Sequence, residues 1–162
     1  GLVASLDYEA EQGVILGRGA KGVSKENARA YIFGYTIIND ISARNLQTRD
    51  KQWYLGKSLD GFTPMGPCIV TADEIGDEQA LDISCTVNGE LRQSSNTRYM
   101  IQTVSGAIAE LSEGMKLAAG TIIATGTPAG VGMGMKPPTF LQHGDKIVCS
   151  IEKIGSLKNV ID

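Results

Sequence analysis

Histidine and tryptophan each occur once in these 162 residues, phenylalanine and cysteine three times and proline five times. With one His, and with Cys68, Cys85 and Cys149 far apart inside apolar runs, the chain offers neither a disulfide framework nor the clustered ligands of a zinc site. The three thiols read as reduced core residues. No apolar run is long enough to span a bilayer, which argues against a membrane-spanning helix. Fifteen Lys and Arg stand against 18 Asp and Glu, a net charge of −3, and the basic residues are scattered. That pattern lacks the basic stripe of a nucleic-acid binder, so neither nucleic acid nor membrane is expected as a partner. The chain opens Gly1-Leu2-Val3, without a signal-peptide pattern and without an initiator Met, inside a strand-like run. A cytoplasmic, reducing compartment and a missing N-terminal segment are the corresponding expectations.

What remains is an ordinary globular composition, 42% hydrophobic and 20% charged, in a length that suits one domain over 1–162. Short apolar runs recur between Gly, Pro, Asn and Asp, with few helical stretches, so the class is β-rich α+β. Residues 3–16, 35–40, 68–71, 121–125, 146–151 and 157–161 read as strands. Ser24 is placed to cap a short helix through about Ile32, and 42–60 reads as irregular. Runs 81–87 and 91–94 flank Asn88-Gly89, the dipeptide that suits a type I′ hairpin turn. Thr97 is expected to cap a helix through Met100, Ile101, Val104, Ile108 and Leu111, stopped by Gly114.

Three carboxylates stand out within this pattern. Glu9 and Glu11 are spaced by two in a strand-like context and leave one face together. Asp40 ends the second run. Alone, the pair reads as a solvated strand face and Asp40 as a turn or cap residue. Together, an all-oxygen trio suits a hard divalent cation, Mg²⁺ or Mn²⁺. Lys57 in LGKSLDG is either a cation that balances this site and stabilises an enolate oxygen or a snorkelling surface residue. Arg44 and Gln47 are placed to reach a substrate carboxylate, or to make loop contacts. The segment IIATGTPAGVGMG sets Thr125, Thr127 and successive backbone N–H groups before a glycine-rich turn, as an anion site or as a mobile hairpin loop. His143 reads as a surface turn residue and not as a base.

Taken in order, LDYEAEQGVILG, GYTIINDISARNLQ, QWYLGKSLDGFTPMGPCIV, ISCTVNGELRQSSNT, IIATGTPAGVGMG, PPTFLQHGDKI and IEKIGSLKNVI resemble the fumarylacetoacetate hydrolase family across nearly the whole chain. The resemblance implies a roll of mixed β-sheets with a few short helices, the family's C-terminal catalytic domain, usually a homodimer. It implies Mg²⁺ or Mn²⁺ on Glu9, Glu11 and Asp40, with Gln47, Lys57 and Thr127 facing the substrate and Lys57 sharing the charge of an enolate. The implied activity is hydrolytic C–C cleavage of an acylpyruvate-type 2-oxo acid to pyruvate and a carboxylic acid. Alternatives are decarboxylation or isomerisation of oxaloacetate or another 2-oxo dicarboxylate, or non-catalytic binding of 2-oxo acids. In hydrolytic members a His and Glu pair on an N-terminal lid activates water, and that lid lies upstream of the E-x-E strand. The distal pocket is expected from the loop 49–54 and from that lid. This sequence departs from the family at Asn45, often acidic, at Gln12-Gly13, often Leu-Ala and here expected to loosen the strand, and near Gly61. None of these removes a metal ligand.

Overall fold

A computed structural model describes residues 1–49 and 51–162. The first strand, β1 (Leu6–Asp7), breaks at Tyr8-Glu9 and resumes as β2 (Ala10–Leu16). After a 3-10 turn over Ala28–Tyr31 come β3 (Ile32–Asn39), β4 (Ser42–Ala43), α1 (Arg44–Arg49) and α2 (Tyr54–Lys57). Next are β5 (Met65–Thr71), α3 (Ala72–Ile75), β6 (Asp82–Val87) and β7 (Glu90–Asn96). The chain closes with α4 (Val104–Gly114), β8 (Ile122–Ala124), β9 (Lys146–Ile151) and β10 (Gly155–Val160).

Two four-stranded sheets, ordered β5-β3-β2-β8 and β10-β9-β6-β7, carry the core, and β1 pairs with β4 beside them. The β-rich roll with short helices forms, but where the resemblance implied mixed sheets, the pairs between named strands are antiparallel. The short turns between β6 and β7 and between β9 and β10 allow only antiparallel partners, because a parallel pair needs a long crossover. At the β6–β7 turn Asn88 and Gly89 take φ of 53° and 84°, as a type I′ turn requires.

The strand period sorts the faces. Ala10, Val14 and Leu16 of β2 and Tyr35 and Ile37 of β3 join the core with Ile83, Cys85, Ile147, Cys149 and Ile151 of the facing sheet. Glu11 and Gly13 point the other way, opposite Ile38 and Thr36. A Cβ on Gly13 would lie 2.8 Å from Ile38 Cδ1 and 2.9 Å from Thr36 Cγ2, so glycine lets β3 side chains close over the strand. The strand is not loosened: pairing runs unbroken through Gln12 and Gly13.

Other local expectations shift. The run from Ser24 yields only the 3-10 turn, because β3 takes over at Ile32. Thr97 caps no α-helix; its Oγ1 accepts from Leu81 N, tying it to the neck of β6. Helix α4 starts later, where Thr103 Oγ1 accepts from Gly106 N, and ends at Gly114 as expected. Met100 and Ile101 lie outside it. Residues 42–60 hold α1 and α2, apart from Asp50, which lies outside the described residues. Cys85 and Cys149 are buried, whereas Cys68 is exposed on β5.

Close approach of β3 to β5 needs Gly34, where a Cβ would collide with the Val70 carbonyl and sit 2.9 Å from Ile69 Cγ2. Gly34→Ala is predicted to destabilise the domain by about 1–3 kcal/mol, an overpacking cost. A thermal melt followed by circular dichroism checks this; an unchanged midpoint would mean the two strands yield freely.

Candidate metal centre

The break between β1 and β2 has a structural cause. Glu9 N donates to Asn39 Oδ1 at 3.1 Å and Glu9 O accepts from Asp40 N at 2.9 Å, so the residues just before β2 and just after β3 are fastened together. Asn39 is itself held at Nδ2 by Asn159 Oδ1 at 3.1 Å. The fastening brings Glu9, Glu11 and Asp40 together, with one carboxylate oxygen of each within 4.8 Å of the others. Glu9 and Glu11 are buried and Asp40 is half-buried.

Two cations rim this trio. Lys57 Nζ donates to Glu9 Oε2 at 2.8 Å and to Asp40 Oδ2 at 2.7 Å. Arg44 Nη2 lies 2.6 Å from Glu9 Oε1. Lys57 reaches the site because α2 packs tightly on α1: a Cβ on Gly56 would lie 2.6 Å from Gln47 N, so only glycine permits the approach. Gln47 joins by accepting from Arg44 Nη1 at 3.0 Å.

Glu11 Oε2 accepts from Gly126 N at 2.9 Å, a hydrogen bond that ties the glycine-rich loop to the trio. Thr127 is turned to another task. Its Oγ1 donates to Ala10 O at 2.9 Å and accepts from Gln93 Nε2 at 2.8 Å. The fully buried Gln93 also donates to Pro128 O and accepts from Ala10 N, pinning the loop to β2. His143 is exposed in the turn before β9 and bonds none of these residues.

Burial dominates the electrostatics. It pushes Glu11 up to about 7, assisted by the charges of Asp40 and Glu9 and opposed by the Gly126 N–H. Burial also raises Asp40, although Lys57 pulls it down. Lys57 is raised as well: burial lowers it, but its hydrogen bonds to Asp40 and Glu9 prevail. An isolated ion pair would shift its partners in opposite senses, so the Asp40 and Lys57 directions do not mirror each other. The Lys57 direction follows from its two short bonds to Asp40 and Glu9. Asp40 shares Lys57 with Glu9, which leaves its own desolvation and Glu9 repulsion uncovered.

The donor set fits a hard divalent cation. The donors are all oxygen, converge within one ion's reach, and leave Glu11 and Asp40 each an oxygen beyond the one given to Gly126 or Lys57. A cavity of about 510 Å³ lies elsewhere, lined by Gln12, Ile83, Tyr99, Ile101 and Thr127 among others. Gln12 faces the core side of β2, so this cavity opens behind the loop and not onto the carboxylates. Of the loop expected to line a distal pocket, Trp53 and Tyr54 are exposed.

Asp7, Asn39 and Gln93 were missed as parts of the site. Each is a polar residue that the fold buries completely. Only Asn39 carried a signal, its place beside Asp40 at the end of a strand.

A β-rich roll bearing a carboxylate trio rimmed by Lys and Arg presents an acidic cluster that could hold a metal ion. The sequence matches the family model described as fumarylacetoacetate (FAA) hydrolase C-terminal over residues 2–162, and the chain belongs to that family. It is 51% identical over 160 residues to oxaloacetate tautomerase YisK of Bacillus subtilis (strain 168), covering 99% of this chain and 53% of that protein. It is 46% identical over 157 residues to the mitochondrial oxaloacetate tautomerase Fahd2a of Rattus norvegicus, covering 96% and 50%. The chain thus spans about half the length of these curated relatives. Among solved structures, the fumarylacetoacetate hydrolase of Exiguobacterium antarcticum superposes with a TM-score of 0.97 at 52% identity, over 99% of this chain and 58% of that one. No helix among the described residues is long and apolar enough to cross a membrane.

Proposed function

We propose that this chain is the catalytic domain of a Mg²⁺- or Mn²⁺-dependent enzyme that interconverts the keto and enol forms of oxaloacetate or a similar 2-oxo dicarboxylate. The observation that carries the proposal is Lys57, held between Glu9 and Asp40 at the rim of the trio. The resemblance between this chain and two oxaloacetate tautomerases supports it.

Glu9, Glu11 and Asp40 would hold the cation, which as a Lewis acid draws charge onto the 2-oxo oxygen. Lys57, kept charged by its two carboxylates, donates a hydrogen bond to that oxygen as negative charge develops. Arg44 and Gln47 lie beside it in the same network and serve the substrate carboxylates. Thr127 faces the substrate in this reading through its backbone, because its hydroxyl is spent on Ala10 and Gln93. Tautomerisation moves one proton between carbon and oxygen and breaks no bond between heavy atoms. It therefore asks for enolate stabilisation and not for an attacking water.

Hydrolytic cleavage of an acylpyruvate is the second reading, favoured by the fit to the Exiguobacterium hydrolase. It needs a base to activate water, which the family resemblance assigns to an upstream lid. The expected assembly is a homodimer and the expected compartment the cytoplasm.

In a test on the full-length protein with Mg²⁺, loss of enol-oxaloacetate absorbance faster than in buffer, with no pyruvate formed, is the expected result. Pyruvate from oxaloacetate would indicate decarboxylation, and pyruvate from an acylpyruvate hydrolysis. Oxalate, a stable enolate mimic, is expected to bind calorimetrically only when metal is present. Metal-dependent oxalate binding without turnover of either substrate would leave a non-catalytic binder.

A further inference from the structure

Asp7 is two residues ahead of the first proposed metal ligand and is fully buried, yet no step above uses it. Its carboxylate accepts four hydrogen bonds. Oδ1 takes Tyr8 N at 3.0 Å and Gly132 N at 2.7 Å, and Oδ2 takes Met133 N at 2.9 Å and Arg44 Nε at 2.9 Å. A polar group so far from water is tolerated because both of its oxygens are hydrogen-bonded and one donor is a guanidinium.

The partners matter more than their number. Arg44 is planar and rigid, so fixing Nε against Asp7 fixes where its other nitrogens point. Those are Nη2, on Glu9 Oε1, and Nη1, on Gln47 Oε1. Two of the remaining bonds of Asp7, from Gly132 N and Met133 N, come from the glycine-rich loop, whose Gly126 N orients Glu11. Glycine at 132 permits this close approach, since a Cβ there would sit 2.8 Å from Asp7 Oδ1 and collide with the Thr139 carbonyl. One buried carboxylate therefore lies behind both glutamates, through Arg44 on one side and the loop on the other.

We propose that Asp7 is a positioning residue for the metal centre: it orients Glu9 through Arg44 and anchors, at Gly132 and Met133, the glycine-rich loop whose Gly126 N–H holds Glu11. The proposal rests on the carboxylate trio being a metal site. Groups that orient metal ligands typically matter 10- to 100-fold in affinity.

The test is Mn²⁺ binding to the full-length protein, read by electron paramagnetic resonance in the wild type, Asp7→Asn and Arg44→Lys. Asparagine keeps the size of Asp7 but places an amide N–H₂ where a backbone or guanidinium N–H now donates. Lysine keeps a cation for Glu9 but cannot also hold Asp7 and Gln47. Each variant is expected to weaken Mn²⁺ binding 10- to 100-fold and to change the line shape of the bound ion. The double variant should lose less than the product of the two, because both break one chain of contacts. Under the activity assay, the metal concentration giving half-maximal rate should rise more than the maximal rate falls.

A residue that served only to hold the fold would lower the melting temperature and leave the affinity and line shape of bound Mn²⁺ unmoved; that outcome overturns the proposal. If Asp7→Asn does not fold, Arg44→Lys decides alone: wild-type Mn²⁺ affinity and line shape in it would equally overturn the inference. Absence of Mn²⁺ binding by the wild type would instead remove the metal reading and this inference with it.

Discussion

Glu11→Gln is expected to reduce metal-dependent turnover by roughly a thousandfold, the rate equivalent of the several kcal/mol of charge stabilisation that a Lewis acid supplies. The same change should stabilise the metal-free domain above neutral pH. Glu11 is 2% exposed, and burial, then the neighbouring Asp40 and Glu9, raise its pKa from an ordinary 4.5 to about 7. Between these values the folded chain holds a proton that the unfolded chain has released. Stability therefore falls as pH rises through this window, and the full penalty, at most about 3 kcal/mol, is present above pH 7. Glutamine carries no such charge and should flatten that segment of the profile. Chemical denaturation of both proteins at pH 5 and pH 8, with a chelator present, checks the sign. Equal slopes would show that Glu11 ionises as freely in the fold as in water. Because the bound carboxylate must be ionised, metal affinity should weaken as pH falls below about 7. Wild-type activity in Glu11→Gln would remove the residue from the ligand set.

Lys57→Met should lower turnover by about 10²- to 10³-fold, the usual effect of deleting one donor to a developing oxyanion. Metal affinity should change far less, because Lys57 sits at the rim and is not a ligand. Some loss of stability should accompany it, since Glu9 and Asp40 lose the cation that bridges them. The Lys57 side chain is 19% exposed, so solvent screens the pair and about 1–2 kcal/mol is the expected scale. Steady-state kinetics at saturating metal, with Mn²⁺ binding measured separately, resolve the two effects. Unchanged turnover would return Lys57 to the role of a snorkelling surface residue.

The two variants probe different parts of one arrangement. Glu11 tests whether the carboxylates form a metal site, and Lys57 tests whether chemistry occurs beside it. The outcome in which metal binding needs Glu11 while turnover ignores Lys57 would favour a binder of 2-oxo acids.

Much of this site is legible in the chain because its ligands are local. Glu9 and Glu11 are spaced by the strand period, Asp40 ends an apolar run, and Gly56-Lys57 lie in one short motif, so type and spacing already speak. The Asn88-Gly89 turn is legible for the same reason, since positive φ at two successive residues is a property of the dipeptide. Helix starts are less legible. Thr97 looked like a cap because a helical period of apolar residues follows it, yet Leu81 claims its hydroxyl and backbone, and the helix waits for Thr103.

Composition, strand period and turn chemistry by themselves determined a β-rich chain with one antiparallel hairpin, no clustered Cys and His, and three carboxylates suited to a hard cation. Only the tertiary structure decided that Thr127 spends its hydroxyl on β2, that Gln93 and Asn39 pin the loop and strands, and that Asp7 stands behind Arg44. Those roles join residues 30 to 126 positions apart. Nothing in the local sequence distinguishes a polar residue of a strand that faces water from one that burial obliges to find a partner.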